Sequence, residues 1–467
     1  MRRAAALLCV SLVEARRLSP SPTVPSKKES DENKKVLMLI SDTGGGHRAS
    51  ALALEAAMLQ EKPKGMEVKV VDIWTEHAMF PWNKMAAGYP FCCKYPFIWK
   101  SMYYTTMALE LPTQLLWRIQ CGAGFKRCIG AYDPDMVVSL HPLCQHLPLN
   151  VMNTLAKENG QNRRSVPFAT VCTDLGGAHP SWFHKGVDMC FIASEAVRKV
   201  ANRRGVDGEK LKLYGLPVRK AFWTASEQNA HATPEQLESL GLQPDKKTVL
   251  VVGGGDGVGS LQTIVESTAA QLAKDCPDTA QVVPVPARPS AHLRRGRISA
   301  RPRPSWFARR PSLIVAPTPP ILAAHQVVAI CGKNAAVKRQ LEAKSWRGVH
   351  VEVRGFCSGI SDYMEAADCL VTKAGPGTIA EAAIRGLPTM LSSHLPGQEA
   401  GNVPFVVGKG FGRFSTKPKV IAQTVSEWLQ DDDELAQLSA AALAAGQPEA
   451  TNLIARDLVE LLDKNAA

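Results

Sequence analysis

The densest chemical signal in the chain runs Thr372-Lys373-Ala374-Gly375-Pro376-Gly377-Thr378-Ile379-Ala380-Glu381-Ala382. Asp368-Cys369-Leu370-Val371 just before it reads as a buried strand. The Gly375-Pro376-Gly377 turn breaks that strand, and Thr378 opens a helix. A strand, a glycine turn and a helix start leave free N–H groups and the positive end of a dipole facing outward, which suits an anion such as phosphate. Glu381 falls in the first turns of that helix, where a carboxylate can take a ribose diol. After another expected strand at 388–392, Gln398 and Glu399 offer an amide and a carboxylate to sugar hydroxyls. Phosphate, ribose and sugar groups in that order point to a nucleotide-sugar site.

A second glycine cluster follows the short apolar strand Val36-Leu37-Met38-Leu39-Ile40. It reads Ser41-Asp42-Thr43-Gly44-Gly45-Gly46-His47-Arg48-Ala49-Ser50 and leads into a run of helix formers, 51–60. His47 therefore sits at a strand-to-helix corner on the carboxyl edge of a sheet, where open α/β folds bind ligands. A neutral imidazole there can take a proton from an acceptor hydroxyl. Asp42 is placed to orient or assist it, and Gly45 and Gly46 lie on the acceptor approach. A lone histidine at a helix start usually bonds only backbone; the surrounding Gly-Gly-Gly-His-Arg-Ala-Ser favours chemistry. His141, after the expected strand 136–140, is a second candidate on the same edge.

A third glycine turn, Gly253 to Gly259, lacks the Gly-x-Gly-x-x-Gly spacing of dinucleotide loops, so no nicotinamide cofactor is expected. Its Gly254 and Gly255 amides, with those of 375–378, are expected to stabilise a departing anion without a metal. Asp431-Asp432-Asp433 matches an Asp-x-Asp formally but reads as a turn and helix cap, so no metal site is expected.

The +12 net charge invites a nucleic-acid reading, but its location argues against one. Residues 1–36 carry +4 and residues 279–324 carry +8, which leaves the remaining body neutral. A neutral body has no basic stripe for nucleic acid. The 12 cysteines include no Cys-x-x-Cys and suggest neither zinc nor a disulfide framework. Residues 1–35 read as a targeting or disordered segment, because Arg2-Arg3, an apolar run at 4–13 and a Ser/Pro-rich stretch follow one another.

Apolar runs alternate with helical patterns through most of the chain, which calls for two parallel sheets. Strands are expected at 36–40, 68–71, 136–140, 168–171 and 189–192, then at 248–252, 327–330, 349–354, 369–371 and 389–391. The expected division is 36–223, a linker at 224–246, 247–440, and a C-terminal helix at 441–467. The stretch 279–324 holds nine Pro and eight Arg in 46 residues, breaks the pattern and reads as a disordered insert.

Between Phe80 and Tyr104 lie nine of the chain's 29 aromatic residues, while no acid occurs from His77 to Leu109. Trp and Tyr favour the membrane interface and Lys favours anionic head groups. Trp82, Tyr89, Phe97, Trp99, Lys94 and Lys100 are the candidates for membrane contact and acceptor entry.

These segments, together with Val71-Asp72-Ile73-Trp74, Ser139-Leu140-His141-Pro142, Cys172-Thr173-Asp174-Leu175-Gly176 and Leu213-Tyr214-Gly215-Leu216-Pro217-Val218-Arg219, resemble the monogalactosyldiacylglycerol synthases of plastid envelopes. The resemblance runs from about Val36 to Phe414. It implies a GT-B fold of the α/β class, two Rossmann-like domains whose parallel sheets face a central cleft. It implies UDP-galactose as co-substrate, 1,2-diacylglycerol as acceptor, inversion at the anomeric carbon, and no tightly bound cofactor. It assigns the base to His47, the sugar to Gln398 and Glu399, and the ribose to Glu381. It places Gly355 and Phe356 beside the uracil, Asn402 in the same pocket, and the phosphates on Gly375, Pro376, Gly377 and Thr378. It further implies peripheral attachment to an anionic membrane of the plastid envelope, with an anionic phospholipid as activator. A homodimer is allowed. The sequence departs from the family at 279–324, where relatives carry a helix, so a retained intron and a surface insertion are both open. A UDP-glucose or UDP-N-acetylglucosamine lipid transferase and a non-catalytic lipid- or nucleotide-binding homologue are the alternative readings.

Overall fold

The computed structural model describes residues 33–223, 232–253, 260–275, 324–357 and 359–465. The expected targeting segment up to residue 32, part of the linker, Gly254, Gly255 and the Arg/Pro-rich stretch up to residue 323 lie outside the described residues.

Two six-stranded sheets form the scaffold. The first contains β1 (Lys34–Ile40), β2 (Met66–Asp72), β3 (Met136–Ser139), β4 (Phe168–Val171), β5 (Met189–Ile192) and β6 (Leu211–Leu213), in the order β2-β1-β3-β4-β5-β6. The second contains β7 (Lys247–Val252), β8 (His325–Ile330), β9 (His350–Arg354), β10 (Cys369–Lys373), β11 (Thr389–Ser393) and β12 (Gly412–Phe414), in the order β12-β11-β10-β7-β8-β9. Every pairing is parallel. Strands covered on both faces should be continuously apolar, and Val36 to Ile40 in β1 are all fully buried.

All ten expected strands are present. The two unexpected ones, β6 and β12, are three-residue strands at sheet edges. So short a run carries no readable alternation, and the pairing of a neighbouring strand creates it.

Strand order reverses beside β1 in the first sheet and beside β7 and β10 in the second. Ligands of open parallel sheets bind at such points, beyond the carboxyl ends of the strands. His47, His141 and Thr173 follow β1, β3 and β4. The glycine turn at 375 and the loop at 394–401 follow β10 and β11.

The chain ends by returning to the first sheet. Helix Ala450–Lys464 buries Ile454, Leu458 and Leu462 in a cluster with Leu54 and Met58 of helix Gly46–Glu61. Lys62 pairs with Asp463 at 2.5 Å, and the Tyr214 hydroxyl donates to Asp457 at 2.9 Å. The preceding helix, Asp432–Ala445, runs through the expected boundary at 440.

Thr451, fully buried, accepts from the Val218 N–H at 2.9 Å and donates to the Val218 carbonyl at 3.2 Å. Thr451→Val keeps the shape and strands both backbone groups, which costs about 1–3 kcal/mol per unmet group. The expected outcome is a lowered midpoint in thermal unfolding, with Thr451→Ser close to the parent.

Candidate active site

The base wall is built from three strand ends. Gly44 and Gly45 carry φ of 77° and 74°, a left-handed conformation open to glycine and strained for other residues. Two such residues turn the chain sharply enough to place His47 in the first helical turn directly above β1. His47 is buried. Its Nδ1 lies 3.1 Å from Thr173 Oγ1, and its ring meets that of His141 edge-on at 4.5 Å. Trp182, fully buried, closes the pocket 6.0 Å away. Burial lowers the His47 pKa to about 4, partly offset by a backbone hydrogen bond at Leu140 and by the charge of Asp42. The imidazole is therefore neutral across the physiological range and free to accept a proton.

His141 has a different task. Its Nδ1 accepts the Leu143 N–H at 3.2 Å, which fixes the proton on Nε2. That Nε2–H faces Thr43 Oγ1 at 3.1 Å and pins the glycine turn. Asp42 does not hydrogen-bond His47. Both of its oxygens are held by Arg48, at 2.6–2.9 Å, and its effect on His47 is through space.

The donor wall rises from β10 and β11. Gly375 caps helix Pro376–Ile384 with Pro376 in the first helical position and no side-chain cap, so the first amides stay open to an anion. A small pocket opens here, with Gly253, Ser260, Lys373, Ser392 and Ser393 in its lining. Lys373 pairs with Glu399 Oε1, while Glu399 Oε2 accepts the Leu395 N–H at 2.9 Å. Each Glu399 oxygen keeps one lone pair for a ligand. Gln398 Oε1 is buried with no hydrogen-bond partner among the described residues, so its acceptor capacity remains for a ligand.

Glu381 is buried and its carboxylate is gripped by Arg219, with Nε donating to Oε1 at 2.7 Å. Burial raises the Glu381 pKa, and the Arg219 bonds pull it back. Phe356, 69% exposed beyond β9, leaves an aromatic face open beside Gly355.

The two walls touch. Asn402 accepts from the Gly176 N–H at 2.7 Å and donates to the Ala374 carbonyl at 2.8 Å, so this side chain joins the loop after β4 to the loop after β10. A β-carbon on Gly176 would overlap the Gly401 carbonyl, whereas one on Gly177 would meet nothing. Tyr103 packs edge-on against His179 at 4.8 Å and lies over Gly397.

Of the aromatic segment, Phe97 is 82% exposed, and Lys94 and Lys100 are exposed. Trp82, Tyr89 and Trp99 are half-buried: Trp82 donates to Gln120 at 2.6 Å, Tyr89 lies over Gly44, and Trp99 packs on Tyr89. The exposed apolar face continues past the expected end at Tyr104 through Leu109, Leu111, Leu115 and Ile119. These leucines carry no aromatic signal, which is why the sequence pattern misses them. Among the described residues no helix is long and apolar enough to cross a membrane. The acidic triplet has structural partners: Asp431 caps its helix at the Glu434 N–H, 2.9 Å, and Asp432 pairs with Lys247.

Residues 47–218 match the family described as "Monogalactosyldiacylglycerol (MGDG) synthase", and residues 248–452 match "Glycosyltransferase family 28 C-terminal domain". Monogalactosyldiacylglycerol synthase 1, chloroplastic, of Arabidopsis thaliana is 37% identical over 443 residues, covering 93% of this chain and 72% of that relative.

The chain belongs to the monogalactosyldiacylglycerol synthase family.

The spinach (Spinacia oleracea) chloroplastic synthase agrees, at 37% identity over 437 residues and 74% of its length. In three dimensions the Acinetobacter baumannii MurG crystal structure aligns with a TM-score of 0.50 at 14% identity, over 92% of this chain and 99% of that one. The S. aureus MnaA-UDP structure aligns with a TM-score of 0.53 at 12% identity, over 92% and 97%. Such distant matches carry the fold alone, and that fold is GT-B. Sequence reasoning named Gly176, Lys373 and Arg219 within motifs without giving them roles, because each acts through a partner distant in the chain.

Gly176→Ala is expected to force the walls apart and lower kcat/KM for the nucleotide-sugar at least about tenfold, since small misplacements of reacting groups are costly. Steady-state kinetics checks this, with Gly177→Ala near the parent as control.

Proposed function

We propose that this chain transfers galactose from UDP-galactose to the sn-3 hydroxyl of 1,2-diacylglycerol, with inversion, as a peripheral enzyme of the plastid envelope. The observation that carries the reading is the pairing of a neutral buried imidazole on one wall with an uncapped helix start on the other, across walls joined at Gly176 and Asn402. His47 takes the proton of the glycerol hydroxyl as its oxygen attacks the anomeric carbon. The bond from that carbon to the diphosphate oxygen breaks, and UDP leaves with the electron pair. The free amides of Gly377 and Thr378 receive the diphosphate at the helix start that Gly375 and Pro376 shape, beside Lys373; the Gly375 N–H is already spent on the Lys373 carbonyl. Gln398 and Glu399 hold sugar hydroxyls, and Phe356 with Gly355 flanks the uracil. Glu381, aimed by Arg219, takes the ribose through the lone pairs that the guanidinium leaves free.

The acceptor enters from the exposed apolar face. The mostly apolar depression lined by Thr106, Gln114, Trp117, Leu143, Leu147 and His179 is the proposed entrance for an acyl chain. The proposed division is an acceptor domain at 36–223, a linker at 224–246, a donor domain at 247–440 carrying the 279–324 insert, and a closing segment from 441. An anionic phospholipid at the membrane surface fits the exposed lysines beside the apolar face.

With radiolabelled UDP-galactose and UDP-glucose offered to the purified chain with diacylglycerol, galactolipid is the expected product. His47→Ala is expected to lower kcat by about 10²–10⁴; a rate near the parent's removes His47 from the mechanism. In flotation with anionic liposomes, Phe97→Glu with Leu111→Glu and Ile119→Glu is expected to release the protein. Trp82→Ala, which loses packing against Trp117, should lower thermal stability instead.

A further inference from the structure

Asp174 is assigned no part in the steps above, yet it lies where the two walls meet. It follows β4, between Thr173, which bonds His47, and Gly176, which bonds Asn402. It is buried. Its Oδ2 accepts the Trp182 indole N–H at 2.8 Å and the His179 N–H at 3.4 Å. Trp182 in turn packs beside His47, and the His179 ring packs on Tyr103, which lies over Gly397 of the donor loop. A second anchor holds the segment from behind, where Ser194 Oγ donates to the Leu175 carbonyl at 2.5 Å.

We infer that Asp174 is a positioning residue for the transfer reaction: through Trp182 and the Thr173–Gly176 segment it holds the base wall in register with the donor loop. This inference rests on the galactosyl-transfer reading above.

The surroundings make that role depend on a proton. The groups that face Asp174 are Glu399 of the donor loop, Tyr103 of helix Pro96–Ala108, the Cys172 thiol at the end of β4, and His179 in its own loop. Glu399 is paired with Lys373, so no cation is left over for Asp174 from that side. Burial raises the Asp174 pKa to about 7; the Trp182 and His179 bonds oppose the shift and Glu399 adds to it. A carboxyl with a raised folded pKa contributes stability that is complete below its unfolded pKa and fades as pH climbs through about 7. Buried His47, His141 and His179, with lowered pKa values, act in the opposite direction below their unfolded value. The Asp174 contribution is therefore read as a difference between parent and variant, in which the histidines cancel.

The test uses the full chain with UDP-galactose and diacylglycerol from about pH 5.5 to 8.5, recording kcat, KM and Tm. Asp174→Asn keeps an acceptor oxygen for Trp182 and removes the titration. It is expected to hold kcat within about threefold at the acid end, to lose the parent's inflection near neutrality, and to gain Tm over the parent as pH rises. Asp174→Ala leaves the indole N–H unmet. It is expected to lower kcat at least about tenfold with KM for UDP-galactose changed less than about threefold. Parent-like kcat in Asp174→Ala overturns the inference. So does an Asn variant as impaired as Ala, since that would make the carboxylate itself a reactant. If the Ala variant is insoluble, the Asn profile decides, and a retained inflection overturns the proposal. Should the parent transfer no galactose, the galactosyl-transfer reading falls; the Tm series still judges Asp174, and equal pH slopes in parent and Asn overturn its role.

Discussion

Two glycines, Gly176 and Gly401, let the backbone of one domain lie against the backbone of the other, and Asn402 bonds across the gap they leave. Side chains at either position would hold the loops apart. The distance between base and donor is set here. His47 belongs to the first domain and Gln398 and Glu399, the proposed sugar-binding pair, to the second, so under the proposed mechanism neither wall acts alone.

Burial then assigns the charges. His47 is kept neutral by its removal from water, and Asp42, whose charge opposes the shift through space, is held by Arg48 rather than by the imidazole. On the opposite wall the carboxylates are matched one to one, Glu381 with Arg219 and Glu399 with Lys373. Those pairings keep two buried carboxylates oriented while leaving lone pairs for hydroxyl groups. In the proposed mechanism polar sugar recognition and lipid access are thus separated in space, with most of the exposed apolar face on the helices between Met85 and Tyr132.

Much of this was legible in the chain, and the rest was hidden for identifiable reasons. Strands such as β1 and β10 are continuous apolar runs followed by glycine turns, and both signals are local. The edge strands β6 and β12 are too short to show a period and depend on a neighbour for their hydrogen bonds. His47 stood out because a histidine inside three glycines is chemically conspicuous. Asp174 and Arg219 did not, because a loop acid or arginine looks the same in sequence whether it is solvated or, like Asp174, buried under the Trp182 indole or, like Arg219, clamped to Glu381 162 positions away. Asp42 was read as a partner of His47 from proximity in sequence, but a guanidinium six residues on competes better for its oxygens. The aromatic segment was readable by composition; its extension to Ile119 is aliphatic and became visible only as a continuous exposed face.

The last helix has an effect on how the protein comes into being. Leu54 and Met58, on the helix that carries His47, are covered by Ile454, Leu458 and Leu462. During synthesis on the ribosome that greasy stripe stays bare until helix Ala450–Lys464, some four hundred positions later, has emerged to cover it. Chaperone demand and sensitivity to premature stop codons should both be concentrated at this late closure.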